Sequence, residues 1–365
     1  MKACATNKKV LFILKKRTSY GDGYIQTFSS GLYNSAKMVS DMLNENWVES
    51  KIVEVIDNNG IDKEVTEYRP DIVIIEALWV IPSKFDVLQK LHPNVKWIIR
   101  IHSEVPFLSN EGVAMEWISE YMKYRNVYVS FNSKRTNTEM MNVISDKFTF
   151  NFDHKIVYLP NFYKLPKDYS KRQDLCSCGH LTDAPCVCHK QKGVHIGCFG
   201  AIRPMKNQLL QAVAAIQFAD LMNVKLFFHI NSKRIENRGD SVLKNLRNLF
   251  IGTKHELVEH DWMDRNDFLK VISQMDLGMQ VSFSETFNIV SADMVSQNVP
   301  IVVSNEIEWI FPLFYTSKTS SKLMTFSLFL SWLTGKIKLH YLNRVGLWLS
   351  AQRARIIWLD VLDRF

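Results

Sequence analysis

Two kinds of hydrophobic pattern alternate along the first half of the chain. Short continuous apolar runs, of which KKVLFILKK at residues 8–16 is the first, are typical of strands that are buried on both faces. Between these runs the apolar residues recur at helical spacing, as in GLYNSAKMVSDMLNENW at residues 31–47. Residues 19–30, SYGDGYIQTFSS, contain two glycines and predict a loop. The alternation predicts a parallel sheet with helices on both faces.

The same alternation restarts after a polar, cysteine-rich segment. It predicts an N-terminal Rossmann-like domain at residues 1–163, a linker with a Cys-rich insert at 164–192 and a second Rossmann-like domain at 193–335. Residues 336–365 read as helices that pack back on the N-terminal domain. Ligands of open α/β sheets bind at the carboxyl ends of the strands, so we expect a cleft where two such sheets face each other.

The length and composition of the chain limit the class of protein to which it can belong. The chain has 365 residues, which suits two domains, and its 47% hydrophobic and 22% charged residues are ordinary for a soluble globular protein. No apolar run reaches the roughly 18 residues of a membrane span, and the first apolar run is too short for a signal peptide. We therefore expect a cytoplasmic protein without a transmembrane segment.

The net charge of +8 is distributed unevenly. Residues 309–359 contain no Asp or Glu but hold seven Lys and Arg side chains, interleaved with Trp and Tyr. An unopposed basic segment of this kind suits a polyanion or an anionic surface. The alternative is a set of amphipathic helices with a solvated basic face and an aromatic core.

Four of the six cysteines are crowded into the linker. They form a Cys-x-Cys-x7-Cys-x-Cys pattern made of Cys176, Cys178, Cys186 and Cys188. Four thiolates in a segment without its own core suit a tetrahedral structural zinc, whose binding would supply folding energy. The alternative is a flexible loop with free thiols.

Charged residues follow two strands of the second domain. Strand HIGCFG leads to Gly200, Arg203 and Lys206, and strand LGMQVSFS leads to Glu285 and then a helix. Two cations beside a helix N-terminus suit a diphosphate. A carboxylate accepts hydrogen bonds from sugar hydroxyls, and Asp293, further along that helix, suits ribose hydroxyls. Either acid alone would read as part of a solvated helix face.

These segments together resemble the retaining GT-B glycosyltransferases that use a Glu-x7-Glu motif, the glycosyltransferase family 4-like group. In this chain, the segment VSFSETFNIVSADMVSQNVPIVVSN resembles the motif, and GAIRPMKN resembles the family's Gly-Arg-x4-Lys-Gly loop. Two further segments, PDIVIIE and IVYLPNFY, resemble other strands of the family. Resemblance runs from Lys9 to Asn305 in order, apart from the Cys-rich insert. It implies the GT-B fold, with two Rossmann-like domains facing a cleft and a C-terminal helical segment.

The resemblance also implies roles for particular residues. The residues with a catalytic role would be Glu285, His102 and Lys206, with Glu285 holding the donor sugar. Donor-binding residues would be Gly21, Gly23, Gly200, Arg203, Lys206, Thr286, Phe287, Asn288 and Asp293. This chain departs from the family pattern at four places: an Asp at 293, an Asn at 288, Ala201 where the family has Arg, and Asn298-Val299 before Pro300.

The expected reaction is transfer of a hexose or pentose from a nucleotide-diphosphate sugar, expected to be a UDP-sugar, to a hydroxyl with retention and without a catalytic metal. With its basic surface, the chain is compatible with bacteriophage enzymes that glycosylate hydroxymethylated pyrimidines in DNA, which would act in the host cytoplasm. A cell-surface polysaccharide or lipid-linked glycan is the alternative acceptor. A non-catalytic nucleotide-sugar or DNA-binding module is the alternative of another class. The donor sugar and the oligomeric state stay open.

Overall fold

The computed structural model describes residues 8–16, 18–21, 24–27, 31–147, 153–166 and 193–365. The chain divides into two compact units. Unit 1 comprises Met1–Lys164 with Ser350–Phe365, and unit 2 comprises Leu165–Leu349. Residues 336–349 belong to unit 2, and the residues from Ser350 onward belong to unit 1.

Unit 1 is built on a parallel sheet whose strands are short apolar runs. Its six strands are β1 (Lys9–Lys15), β4 (Glu49–Val55), β5 (Ile72–Glu76), β6 (Lys96–Ile101), β7 (Val127–Phe131) and β8 (Ile156–Tyr158). Their order is β4-β1-β5-β6-β7-β8, and every neighbouring pair is parallel. The order reverses between β1 and β5, so a crevice is expected at the carboxyl ends of these two strands.

Helices lie between the strands of unit 1. They are α1 (Gly31–Glu45), α2 (Ile61–Tyr68), α3 (Phe85–Leu91), α4 (Val105–Leu108), α5 (Ala114–Met122) and α6 (Lys134–Lys147). The segment predicted as a loop forms instead an antiparallel hairpin of β2 (Thr18–Gly21) and β3 (Tyr24–Thr27). The β-branched and aromatic residues of this segment favour strands, and Gly21 pairs with Tyr24 at the end of β2.

The last residues of the chain complete the core of unit 1. Trp358 is fully buried, its indole N–H donates to the Pro160 carbonyl over 2.8 Å, and its ring lies 5.9 Å from that of Phe12 on β1. Ala351, Ala354, Val361 and Leu362 join the same buried cluster. The C-terminal residues therefore fill one face of the first sheet.

Unit 2 contains a second parallel sheet. Its strands are β9 (Val194–Gly197), β10 (Leu226–Asn231), β11 (Glu256–His260), β12 (Leu277–Gln280) and β13 (Ile301–Val303), in the order β11-β10-β9-β12-β13. All neighbouring pairs are parallel. The chain adds strands on one side of β9 and then returns to its other side, so the order reverses between β9 and β12.

The helices of unit 2 are α7 (Gln208–Leu221), α8 (Gly239–Phe250), α9 (Arg265–Ser273), α10 (Ile289–Ser296) and α11 (Ser321–Lys336), followed by α12 (Leu342–Arg364), whose residues from Ser350 belong to unit 1. The core of unit 2 combines the inward side chains of its strands with those of α7, α8 and α11. Among the residues that the structure describes, no helix is long and apolar enough to cross a membrane.

Candidate functional site

Two loops of unit 2 lie side by side at the carboxyl end of its sheet. The first follows β9 at residues 198–207, and the second follows β12 at residues 281–288. These are the adjacent strands between which the strand order reverses. Open α/β sheets bind ligands at such a position because the two connections leave on opposite faces and open a crevice.

Hydrogen bonds hold the two loops together. The side-chain amide of Asn207 donates to the carbonyl of Val281 over 3.2 Å, and the backbone N–H of Phe283 donates to the carbonyl of Met205 over 2.9 Å. Asn207 has a φ of 57°, in the left-handed region that asparagine reaches more readily than most residues. The loops therefore present their side chains at a fixed separation.

Lys206 and Glu285 form an ion pair across the two loops. Their side chains are 12% and 8% exposed, so both are largely removed from water. Burial raises the pKa of the Glu285 carboxyl, but Lys206 and Arg203 outweigh this effect and hold the pKa below its usual value. The pair joins a carboxylate that can accept bonds from hydroxyls to an ammonium that can bind phosphate.

Asn288 caps α10 beside this pair. Its side-chain oxygen accepts from the Ser291 N–H over 2.9 Å, and its amide donates to Gln280 Oε1 over 3.0 Å. Its φ is 56°, so asparagine adopts here the left-handed conformation for which the resembling family uses glycine. The N-terminal end of α10, with its partial positive charge, faces the end of the second loop.

Asp293 lies one turn into α10, because the helix begins at Ile289 rather than near Phe287. The Asp293 carboxylate accepts from Arg265 Nη2 over 2.6 Å, and the Asp293 side chain is 3% exposed. Arg265 opens α9. The shorter acid that replaces the family's second Glu is therefore held by an arginine from the neighbouring helix.

The first loop carries the two other residues expected to bind a donor. Gly200 has a φ of 113°, which side-chain-bearing residues rarely adopt, and its N–H donates to Asn231 Oδ1 over 3.0 Å. Arg203 Nη1 lies 3.4 Å from the Glu236 carboxylate, which Arg234 also contacts at 2.7 Å. Arg203 thus points to an acid within unit 2.

Trp309 supports the backbone of the second loop, a contact that the sequence pattern did not indicate. Its indole N–H donates to the Phe287 carbonyl over 2.7 Å, and the two rings lie 5.6 Å apart. The contact fixes the peptide that the resemblance assigns to diphosphate binding.

Unit 1 has its own polar cluster at the carboxyl ends of its strands, made of Glu76, Arg100, His102, Asn132 and Asn161, and called here the Glu76 cluster. Arg100 Nη1 donates to both oxygens of Glu76 over 3.0 and 3.2 Å, and Arg100 Nη2 donates to Asn161 Oδ1 over 2.6 Å. Arg100 also donates to the carbonyls of Leu159 and Pro160. Glu76 and Arg100 are fully buried, so each charge is neutralised by the other.

His102 is oriented by this cluster. Its Nε2 contacts the Glu76 carboxylate, and its Nδ1 lies 3.2 Å from the amide nitrogen of Asn132. These partners assign a neutral ring with the proton on Nε2, since a carboxylate accepts and an amide nitrogen donates. Burial and the Arg100 charge lower the pKa of His102, which agrees with that assignment. Both ring nitrogens are engaged within unit 1.

A cavity of about 130 Å³ opens beside His102 and Glu76. It is also lined by Lys15, Leu32, Ala77, Leu78, Trp79, Ile101, Ser103 and Glu111. It lies at the carboxyl ends of β1 and β5, the strands between which the order reverses. Ala77 has a φ of 72°, an uncommon conformation for a side-chain-bearing residue that clusters at functional sites.

Other sequence expectations fall partly outside the described residues. Gly21 ends β2 and pairs with Tyr24, while Gly23 lies outside. Cys176, Cys178, Cys186 and Cys188 also lie outside the described residues, so the zinc hypothesis stays a prediction. Within the described ranges, no group of three or more His, Cys, Asp or Glu side chains is placed to hold a metal ion.

Sequence patterns carried some signal for the residues that were missed. Arg100 interrupts the apolar strand KWIIRI, and a charge in a buried strand requires a partner. Glu76 ends the equally apolar IVIIE. Arg265 and Trp309 had no such signal, because neither residue interrupts an apolar strand.

No protein-family model and no curated protein matches the sequence. Solved structures with a similar fold include HepE of Anabaena in complex with UDP and glucose, which is 13% identical over 98% of this chain and 99% of that chain, with a TM-score of 0.63. A trehalose-6-phosphate synthase, described in terms of glycosyl transfer with retention, is 10% identical over 84% and 77% of the two chains, with a TM-score of 0.62.

A glycosyltransferase from Rickettsia africae is 12% identical over 98% of this chain and 97% of that chain, with a TM-score of 0.58. Identities this low establish the fold alone. The predicted fold class is confirmed: the chain has two parallel α/β units of the GT-B fold and a C-terminal helical segment.

Proposed function

We propose that the protein is a glycosyltransferase that binds a nucleotide-diphosphate sugar in unit 2 and transfers the sugar to a hydroxyl with retention. The observation that carries the proposal is the Lys206–Glu285 pair, which joins the two loops where the strand order reverses. A diphosphate and a sugar ring need a cation and a hydrogen-bond acceptor side by side, and this pair supplies both.

Donor binding would redistribute the charges of this pair. The diphosphate brings negative charge to Lys206, which then shares its ammonium between the phosphate and Glu285. Glu285, kept ionised by its lowered pKa, accepts from the sugar hydroxyls. The end of α10 at Asn288 adds the partial positive charge of its peptide dipoles to the diphosphate. These are positioning and electrostatic roles, and they stabilise the leaving diphosphate.

The remaining donor contacts are proposed on the resemblance. Thr286 and Phe287 would bind the diphosphate through their backbone, which Trp309 supports. Asp293 would accept from the ribose while Arg265 holds its other side. The roles of Gly21, Gly23, Gly200, Arg203 and His102 in donor binding are proposals of the same kind. The donor phosphate itself would take the acceptor proton, with no metal in the reaction.

Two acceptor classes follow from the basic C-terminal stretch. A hydroxymethylated pyrimidine in phage DNA would use it as a phosphate-binding surface. A polysaccharide or lipid-linked glycan would use it at a membrane surface. The nucleotide is proposed to be uridine diphosphate, by likeness to donors of the resembling family.

Product analysis separates these possibilities. The protein is incubated with a panel of nucleotide sugars and with either hydroxymethylcytosine DNA or a lipid-linked glycan, and products are identified by mass spectrometry. Glu285→Gln should lower kcat/KM by about a hundredfold, which corresponds to about 2.7 kcal/mol of lost transition-state stabilisation. Glu256→Gln, which alters an exposed Lys–Glu pair of the same unit, is the matched control. Near-normal transfer by Glu285→Gln would remove this residue from the site, and a protein that binds donors without transfer would be a binding module.

A further inference from the structure

Helix α11 exposes apolar side chains and buries hydroxyl groups. Its buried residues are Met324, Thr325, Leu328, Ser331 and Thr334. Three of these five carry hydroxyls, which bond to carbonyls such as those of Ser321, Ile301 and Ser331. The core side of this helix combines these hydroxyls with Met324 and Leu328, and further apolar side chains remain on its outward side.

The outward face of α11 forms a continuous apolar row. Leu323, Phe326, Leu333 and the following Ile337 are 53%, 65%, 53% and 71% exposed. Together with the half-buried Leu330, these residues recur at alternating intervals of three and four positions. This spacing places their side chains in one line along the helix. Single exposed apolar residues are ordinary, but an aligned row marks an interaction surface.

Three lysines flank this row. Lys322 lies at the first turn, Lys336 at the last, and Lys338 just beyond. Within the part of the chain that the structure describes, none of the three forms an ion pair, and residues 309–359 contain no acid. The Lys336 ammonium lies 3.5 Å from the centroid of the Trp332 ring. The surface is therefore both apolar and cationic.

A cavity of about 700 Å³ adjoins the C-terminal end of the row. Trp332, Lys336, Lys338 and His340 contribute to its lining. His340 is 8% exposed, and its Nδ1 has no hydrogen-bond partner among the described residues. Asp276 also lines the cavity, so an acidic side chain lies there beside the two lysines.

We propose that the outward face of α11 binds the surface of an anionic lipid bilayer. Leu323, Phe326, Leu333 and Ile337 enter the boundary between headgroups and acyl chains, and the three lysines meet lipid phosphates. The proposal rests on the second acceptor class of the proposed function and names the surface that would meet the membrane, and its vesicle test does not require glycosyl transfer.

The same observations disfavour two other occupants. A nucleic acid would meet the lysines but would leave the apolar row without a partner, since its backbone offers phosphates and sugars. A second copy of the chain packed face to face would bring like charges together, because the lysines of each copy would oppose those of the other. Of these three occupants, the bilayer is the one that satisfies both the apolar row and the lysines.

Vesicle flotation tests the proposal with the full chain. Vesicles of equal parts phosphatidylcholine and phosphatidylglycerol should bind the protein, and vesicles of phosphatidylcholine alone should bind it about a hundredfold more weakly, because three lysines lose their lipid phosphates. Binding to the anionic vesicles should weaken with added salt, because salt screens the lysines. The double variant Phe326→Ser/Leu333→Ser should lower binding by about tenfold or more, since two large apolar side chains are lost from the interface. Lys336→Gln/Lys338→Gln should lower it by about tenfold, on anionic vesicles alone.

The matched control is Ile56→Ser/Ile251→Ser, which removes two side chains that are 78% and 75% exposed elsewhere. It should leave vesicle binding unchanged. Three results would overturn the proposal: no binding to either vesicle, an equal loss in the control, or a dimer in light scattering that dissociates in the Phe326→Ser/Leu333→Ser variant. Binding of duplex DNA that depends on the lysines but not on the apolar row, without vesicle binding, would assign this face to nucleic acid instead.

Discussion

Each unit places opposite charges at the carboxyl ends of its strands, but the two clusters differ in how their bonds are distributed. In unit 1, the Arg100 guanidinium bonds to one carboxylate, two backbone carbonyls and one amide, and both Arg100 and Glu76 are fully buried. In unit 2, the Lys206 ammonium contacts the Glu285 carboxylate, and both side chains keep some exposure. A guanidinium that bonds to several partners fixes the backbone around it. An ammonium that contacts one carboxylate can exchange that contact for a bond to a ligand.

The difference suggests distinct tasks for the two strand ends. The Glu76 cluster fixes the tautomer and orientation of His102 and joins β5, β6 and the segment after β8. The Lys206 and Glu285 charges are each other's partners, as the proposed donor site requires. We therefore expect the Glu76 cluster of unit 1 to be rigid and the Lys206–Glu285 pair of unit 2 to be able to exchange its contact for a ligand.

The largest effect is expected from Arg100→Met. It leaves the Glu76 charge buried without compensation, and it removes the donors to Leu159 and Pro160. The free energy of unfolding should fall by about 3–5 kcal/mol, measured by urea denaturation. Arg247→Met, which breaks an exposed pair with Glu259, serves as the control and should change stability little. Equal effects of both variants would contradict a scaffold role for the Glu76 cluster.

A smaller effect on stability but a clear effect on binding is expected from Lys206→Met. UDP affinity should fall by about 2 kcal/mol, or roughly thirtyfold in Kd, because a charge-assisted bond to phosphate is lost. Titration calorimetry measures this change. Lys225→Met breaks a Lys–Glu pair with a 3.0 Å separation at the amino end of β10 and is the matched control. Unchanged UDP binding by Lys206→Met would place the diphosphate elsewhere.

The smallest effect concerns pH. The pKa of His102 is lowered from 6.5, so below that pH the unfolded chain takes up a proton that the folded chain does not. Stability from the neutral ring is present above about pH 6.5 and is lost as pH falls, with a slope of at most about 1.4 kcal/mol per pH unit. His102→Gln should flatten the fall in unfolding free energy between about pH 6.5 and 5.5.

The charge pair of unit 2 responds at lower pH. The pKa of Glu285 is lowered from 4.5, so its contribution is present above that pH and is lost below it. The pKa of Glu76 is also lowered from 4.5, so the contribution of His102 is isolated only by comparing wild type with His102→Gln between about pH 6.5 and 5.5. Parallel curves for wild type and His102→Gln would show that His102 is protonated equally in both states.

Most of the fold and part of the candidate site could be predicted from the local sequence. Apolar runs such as IVIIE and KWIIRI became buried strands, because continuous apolar residues require cover on both faces. Glu285 and Lys206 could be brought together from sequence, because both follow strands whose carboxyl ends meet at one edge. The Arg265–Asp293 and Trp309–Phe287 contacts could not, since they depend on how helices and loops pack.

The β2–β3 hairpin and the outward face of α11 show two further limits of prediction from sequence patterns. Periodicity does not separate a glycine-containing loop from a short hairpin, because the pairing of Gly21 with Tyr24 depends on geometry across the turn. In α11, apolar residues occur on both faces, so the pattern could not tell which side the core would take.

The position of Trp358 has a consequence for biosynthesis. A ribosome makes residues 350–365 after the whole of unit 2, although these residues belong to the core of unit 1. The nascent first unit must therefore wait, with the surface around Phe12 uncovered, until Trp358 leaves the exit tunnel. Unit 2 can close its own core earlier, so the order of completion during translation is the reverse of the order of the units along the chain.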